Sequence, residues 1–406
     1  MSRDRTYDLV LFGATGFTGG LTADYLATHA PADLRWAIAG RNADRLADVT
    51  ARLPDLGAAG EAVDTVVADS TDPASLRALV ASTRLVATTV GPYLEHGATL
   101  VAAAATAGTD YLDITGEPEF VDRTWLKHHE TAMASGARLV HCCGFDSIPH
   151  DLGVWWTVQQ VPENVPLTVR GFVRAHAAFS GGTYSTAIRA LGRARQAQAT
   201  ATRRRRREGD PGDRRVRALP QRPVHVPGSD RWAVPLPTVD PVIVRRSARA
   251  LERYGPDFAY GHYAVVGGLP AVAATAVGVG GLVAAAQLPP ARNLLLRLGS
   301  LGQGPDEQLR ARSWFTVRFE ATWPDPTGAQ GRLVTEVSGG DPGYDETAKM
   351  LTESALCLLR DDLPATAGQV TTAQAMGSAL VDRLVAAGMD FRVVEGPTVA
   401  PAVPEG

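Results

Sequence analysis

Gly13-Ala14-Thr15-Gly16-Phe17-Thr18-Gly19 decides how this chain is read. The heptad directly follows the apolar run 9–12 and opens a helical stretch over 18–28. Residues without a Cβ let a strand turn tightly into a helix and let the backbone approach a pyrophosphate. The helix N-terminus then offers unpaired N–H groups and a partial positive charge. The spacing is G-x-x-G-x-x-G, which departs from the G-x-G-x-x-G fingerprint. Any tight turn favours glycine, so the location matters more than the triplet. Here it is the first strand-to-helix turn, where a dinucleotide phosphate sits. Gly13, Ala14, Thr15, Gly16, Phe17, Thr18 and Gly19 are therefore the expected phosphate cradle.

Working outward, apolar runs at 34–39, 63–68, 85–90, 111–114 and 138–142 alternate with helical stretches such as 72–81 and 96–107. Short apolar strands separated by helices imply right-handed βαβ units and a parallel sheet covered on both faces. The expected fold is α/β, with a Rossmann-like doubly wound parallel sheet in residues 1–148. After Pro149 the rhythm changes: strand-like runs at 167–173, 242–245, 313–321 and 332–337 lie far apart. A second α+β substrate domain is expected over 149–345. Residues 346–406 read as C-terminal helices returning to the first domain, with helices at 347–359 and 372–387 and a strand-like piece at 391–394. No internal repeat is visible.

Composition narrows the class. With 45% hydrophobic and 20% charged residues the 406-residue chain is globular, not disordered. A net charge of −3 gives no global electrostatic case for nucleic acid. Cys142, Cys143 and Cys357 cannot build a disulfide framework, and residues 1–8 lack the apolar run of a signal peptide. A reduced, cytoplasmic enzyme is expected.

The second strand ends Ile38-Ala39-Gly40-Arg41-Asn42, without the acid that holds a ribose 2′-hydroxyl in NAD enzymes. A guanidinium suits a 2′-phosphate, so Arg41 and Asn42 point to NADP(H). Only two lysines exist, Lys127 and Lys349, and the residues four positions before them are Arg123 and Asp345. The Tyr–Lys pair of short-chain dehydrogenases is therefore absent, as is a G-x-S-x-G hydrolase elbow. Neither His128-His129-Glu130 nor His141-Cys142-Cys143 has the pattern of a metal site.

Further strings are more specific: Thr89-Val90-Gly91-Pro92-Tyr93, Tyr111-Leu112-Asp113-Ile114-Thr115-Gly116-Glu117 and Cys143-Gly144-Phe145-Asp146-Ser147-Ile148-Pro149. With the glycine heptad, Gly40-Arg41-Asn42 and the stretches 302–315 and 339–350, they make the chain resemble the saccharopine dehydrogenase-like oxidoreductases. Within them it is similar to the trans-acting enoyl reductases. The resemblance implies a pyridine-nucleotide fold and reduction of a carbon–carbon double bond in a polyketide or lipid-like thioester on a partner synthase. The arginine-rich stretch 203–222 has no counterpart in it.

Val90, Gly91 and Pro92 follow the fourth strand, at the edge where ligands bind in doubly wound sheets. Tyr93 faces the nicotinamide, donates a proton or packs in the loop; Asp146 handles substrate or a proton, or belongs to a helix cap with Ser147. Both are the candidate catalytic residues. The five consecutive arginines at 203–207 read as a solvated, mobile insert or as a dock for an acidic carrier protein or an anionic membrane. The uncharged stretch 263–291 is long enough to span a bilayer, but Pro270, Pro289 and Pro290 favour an apolar lid or a peripheral membrane contact. The competing functions are a saccharopine-type imine or amino-acid reductase and a non-catalytic NADPH-binding scaffold.

Cofactor choice is testable. NADPH should bind at least about tenfold tighter than NADH, a difference of ~1.4 kcal/mol, and Arg41→Asp should reverse the order in a fluorescence titration. Equal affinities in the parent chain would remove Arg41 from the site.

Overall fold

The apolar runs of the first part of the chain pair side by side in a computed structural model that describes residues 5–177, 188–299, 305–325 and 328–400. The 302–304 portion of the family-like stretch lies outside these residues. The strands, in chain order, are β1 (Tyr7–Phe12), β2 (Trp36–Gly40), β3 (Asp64–Val67), β4 (Thr83–Thr88), β5 (Asp110–Asp113), β6 (Arg138–Val140), β7 (Leu167–His176) and β8 (Arg215–Ala218). They continue as β9 (Val224–His225), β10 (Trp232–Pro235), β11 (Asp257–Val265), β12 (Trp314–Pro324), β13 (Gln330–Gly339), β14 (Gly368–Val370) and β15 (Asp390–Ala400).

The chain divides into two compact units. The first comprises Met1–Asp146, Gln196–Arg207 and Gly343–Leu384. Its seven strands run in the order β14-β6-β5-β4-β1-β2-β3, and every pair in it is parallel. The centre is apolar on both faces: Leu9, Val10, Leu11, Ala37, Ile38, Leu85 and Val86 are all buried. Such strands read as unbroken apolar runs because helices cover both sides. The strand β14 gave no sequence signal. Three residues long, it carries a buried glutamine, Gln369, whose side chain donates to Val121 O.

The arginine run corrects the expectation of a solvated, mobile insert. It ends the helix Ala194–Glu208, and within it Arg204 is buried. The guanidinium sits 4.8 Å over the Trp125 ring and 3.3 Å from Asp122 Oδ1, both on the helix Pro118–Ser135. Arg207 adds an exposed ion pair to Glu130 at 2.6 Å. Planar, weakly hydrated arginine suits a buried ion pair of this kind; Arg203, Arg205 and Arg206 remain exposed.

The second unit comprises Ser147–Arg195, Glu208–Pro342 and Val385–Gly406. Its mixed sheet has the order β15-β13-β12-β7-β11-β10-β9, with β8 pairing the first half of β11. The last strand joins this sheet through β13, so residues 385–406 part company with the helices of the C-terminal region expected to go with the first domain. Alternation along β12 and β13 puts Phe315, Val317, Phe319 and Val337 in the core. The opposite face carries ion pairs, among them Arg318–Glu336 at 3.0 Å and Arg332–Glu320 at 2.8 Å. The helix Ile148–Val158 packs so closely that a Cβ on Gly153 would lie 2.4 Å from the Phe319 ring.

Residues 242–245, expected as a strand, lie inside the helix Asp240–Ala250. Pro241 falls in its first turn, and Ile243, Val244, Ser247 and Ala248 are buried along one side. The β-branched run is short, and tertiary burial at helical spacing outweighs its β propensity. Beneath this helix Asp240 lies 3.0 Å from His150 Nδ1 and 3.7 Å from His262 Nε2. Burial pushes His262 down to about 3, leaving it neutral. Burial works against the Asp240 charge, yet His150 beside it holds the carboxyl below its usual range.

Arg204→Ala should destabilise the protein by about 3 kcal/mol, because it removes the buried guanidinium enclosed between Trp125 and Asp122. Arg206→Ala, an exposed change in the same run, should cost less than about 0.5 kcal/mol. Urea unfolding of the two variants checks this; equal midpoints would make the run a surface feature.

Candidate functional site

The glycine heptad is built from two different demands. Gly13 adopts φ +101, a conformation that L side chains rarely take, and its N–H donates to Ala39 O at 2.8 Å. Gly19 lies so near the turn that a Cβ there would stand 2.1 Å from Gly13 O. Thr89 Oγ1 donates to the same carbonyl at 3.2 Å, tying the end of β4 to the loop. Gly16 is different. A Cβ on it would meet only Gly13 O, at 3.4 Å, and would otherwise project into open space. It is the exposed N-cap of the helix Phe17–His29, whose first turn receives no side-chain cap. A helix N-terminus without a side-chain cap beside an open glycine is a cradle suited to an anion. Ala14 is buried beneath it, Thr15 and Thr18 are half-buried, and Phe17 is exposed with its ring 4.7 Å from that of Tyr344.

At the end of β2 Arg41 is exposed, and its charge lowers the pKa of Asp69, after the larger effect of the Thr71 hydrogen bonds. Asn42, expected to touch the cofactor, uses its side chain otherwise: Oδ1 accepts from Arg45 N at 3.0 Å and caps the helix Ala43–Arg52. That cap fixes where the strand ends and so where Arg41 projects.

The loops after β4, β5 and β6 are held by two buried carboxylates. Glu117 accepts from Tyr93 N at 2.9 Å through Oε1 and from Leu94 N at 3.0 Å through Oε2. It thereby fixes the loop containing Val90, Gly91 and Pro92; Gly91 is exposed, and the other two are half-buried. Asp113, fully buried, accepts from Thr115 N and Cys142 N, both at 3.0 Å, through Oδ1. Its other oxygen accepts from Tyr111 OH at 2.9 Å and lies 2.6 Å from His141 Nδ1. Cys142 takes a positive φ of 64, unusual for a residue with a side chain, at the point where its N–H meets Asp113.

Tyr93 does not present its hydroxyl to a substrate. The ring is buried, the O–H donates to Thr88 O at 3.0 Å, and the oxygen accepts from Ile114 N at 3.4 Å. Burial, with the Asp113 charge adding to it, pushes this phenol well above its ordinary value, so the proton stays in place. Asp146 is half-buried with its carboxylate against Gly116: a Cβ on that glycine would lie 2.4 Å from Oδ2. Ser147 occupies the N-cap position of the helix Ile148–Val158, but its hydroxyl does not cap the first turn. The Asp113–His141 pairing was missed in sequence. The register Leu112↔Val140 contains the signal, since the next residues of neighbouring parallel strands fall side by side.

Residues 9–140 match the saccharopine dehydrogenase NADP-binding domain family. A Mycobacterium tuberculosis protein is 37% identical over 421 residues, covering 96% of this chain and 97% of its own. The trans-acting enoyl reductase of Mycobacterium leprae is 36% identical over 427 residues, covering 96% and 98%. This chain belongs to the trans-acting enoyl reductase family. Yeast saccharopine dehydrogenase (L-Glu forming), at 12% identity, covers 96% of the chain with a TM-score of 0.57 and so shares the two-domain α/β fold.

This family member is an NADP(H)-dependent oxidoreductase, and the residues present suit that cofactor. The open Gly16 cradle would take the pyrophosphate, Arg41 the 2′-phosphate, and the Val90–Gly91–Pro92 loop would border the nicotinamide.

The two glycines should separate in experiment. Gly16→Val should abolish NADPH fluorescence enhancement while shifting the unfolding midpoint little. Gly19→Val should lower the midpoint sharply, because Gly13 O occupies the space its side chain needs. Retained NADPH binding in Gly16→Val would make the cradle a structural turn only.

Proposed function

We propose that this chain is a trans-acting enoyl reductase that reduces the carbon–carbon double bond of a polyketide or lipid-like enoyl thioester held on a separate synthase. The observation that carries the reading is the end-to-end match to enoyl reductases, 96% of this chain, combined with an intact cofactor cradle. NADPH supplies a hydride for the β-carbon of such a thioester. The protein must hold the enoyl group beside the edge formed by β4, β5 and β6, polarise the thioester carbonyl and allow a proton to reach the α-carbon.

Asp146 is the proposed proton-handling residue, since it is half-buried in the loop between β6 and the helix Ile148–Val158 and abuts the Gly116 turn. Tyr93 is proposed as a positioning residue: its buried hydroxyl links the ends of β4 and β5. Glu117 acts in the same sense, holding the loop after β4 through two N–H groups. The enzyme is proposed to work in the cytoplasm, where its free thiols Cys142, Cys143 and Cys357 stay reduced. An acidic carrier domain would meet the exposed arginines Arg203 and Arg206, three positions apart on one helix. Arg204 is excluded from that role by its burial against Trp125.

Loss of nicotinamide absorbance on mixing protein, NADPH and a long-chain enoyl thioester tests the reaction; no turnover with any enoyl thioester would overturn it. Asp146→Asn should lower kcat by about 100-fold or more with NADPH affinity unchanged. Glu117→Gln should instead raise the KM for NADPH. Arg203→Glu/Arg206→Glu should slow turnover of carrier-bound substrate at low salt and leave a free thioester unaffected. Identical salt dependence in parent and variant would sink the docking role.

A further inference from the structure

The helix Leu269–Gln287 is left almost uncovered by the described residues. It is 19 residues long with a mean hydropathy of 1.9, and only 6% of it is buried. Val277 is 77% exposed, and Leu269 and Leu288 are each 61% exposed. No Asp, Glu, Lys or Arg occurs from 258 to 291. A Cβ placed on Gly278, Gly280 or Gly281 would meet nothing within 4 Å. A helix apolar on every side is stable in a protein interior or in lipid, and the described residues of the second unit supply no interior for this one. The prolines that argue against a long helix in the sequence fall outside its body: Pro270 is in the first turn and Pro289 opens the next helix, Pro289–Gly299.

Length alone would permit a span, since 19 residues rise about 28 Å. Attachment forbids it. Gly267 O accepts from Trp232 N at 3.1 Å at one end. At the other, Gln287 Nε2 donates to Leu191 O at 2.6 Å and Ala286 is fully buried. Both ends are thus tied to segments of the second unit, which a spanning helix would have to divide between two aqueous phases. The helix therefore lies along one side of a bilayer.

Charge identifies the surface. At the Gln287 end, residues 188–195 and 288–296 contain Arg189, Arg193, Arg195 and Arg292 and no acidic residue. Arg195 is exposed, and Arg292 reaches to within 3.2 Å of where a Gly192 Cβ would stand. Apolar helix beside basic rim is the arrangement that binds anionic lipid. We propose that the helices Leu269–Gln287 and Pro289–Gly299 dock the enzyme on one leaflet of an anionic phospholipid membrane. The longer helix enters the acyl region, and the arginines at its base meet headgroup phosphates.

Co-sedimentation of the full chain with vesicles, without NADPH or thioester, tests this independently of the reductase reading. Vesicles of phosphatidylcholine containing one-third phosphatidylglycerol should bind the protein at low salt, with about tenfold weaker binding to phosphatidylcholine alone. Val277→Asp/Val279→Asp should lose about tenfold or more of the binding, with an unchanged unfolding midpoint because both positions are exposed. Arg195→Glu/Arg292→Glu should reduce anionic-vesicle binding to the neutral-vesicle level. Added salt should do the same to the parent protein, which keeps the charge argument testable should that variant fold poorly. No vesicle binding by the parent chain at low salt, or undiminished binding by the aspartate variant, would overturn the proposal. So would a parent chain that ignores vesicles but dissociates from a dimer when Val277 and Val279 are changed, since the helix would then be a self-interface.

Discussion

The edge of the parallel sheet where β4, β5 and β6 end depends on buried carboxylates satisfying backbone N–H groups that no strand or helix can reach. Where β4, β5 and β6 end, their chains must turn while still under cover, and each turn leaves donors without ladder partners. Asp113 takes two of them, from Thr115 and Cys142, and Glu117 takes two more, from Tyr93 and Leu94. Both side chains are almost fully buried, where an uncompensated charge would be costly. The paired donors, with Tyr111 and His141 against Asp113, compensate them. The loops at the ends of β4, β5 and β6 are consequently set by the protein's own hydrogen bonds.

The same principle separates residues that resemble one another in sequence. Gly16 and Gly19 belong to one motif, yet one faces open space and the other faces a carbonyl. Arg41 and Arg204 are both arginines in a chain rich in them; the first is exposed at a strand end, and the second is enclosed between Trp125 and Asp122. Tyr93, expected from sequence to serve the reaction, is buried in the turn after β4 and donates its hydroxyl proton to Thr88 O. Chemistry available to a residue type is thus withdrawn or released by what surrounds it.

The second unit shows a complementary economy. Its sheet buries one face under the helix Ile148–Val158 and leaves the other to a lattice of Arg–Glu pairs, which keep that face wetted and discourage pairing with other sheets. The longest apolar helix of the unit, by contrast, is left uncovered. Among the described residues, little covers it, which is the contrast behind the proposed membrane docking.

The sequence by itself determined the doubly wound sheet, the tight glycine turn after β1 and the use of NADP(H). These depend on local periodicity, on glycines at a strand-to-helix turn and on the absence of an acid before Arg41, all of which act over a few residues. Contacts across long separations were decided only by tertiary structure. The run 242–245 became helical because burial at helical spacing outweighed β propensity. The pairing of Asp113 with His141 needed β5 and β6 to be neighbours in register, and the hold of Glu117 on Tyr93 needed the loop after β5 to return to the loop after β4. Side-chain partners separated by tens of residues have no local signature, because only the folded backbone brings them within hydrogen-bonding distance.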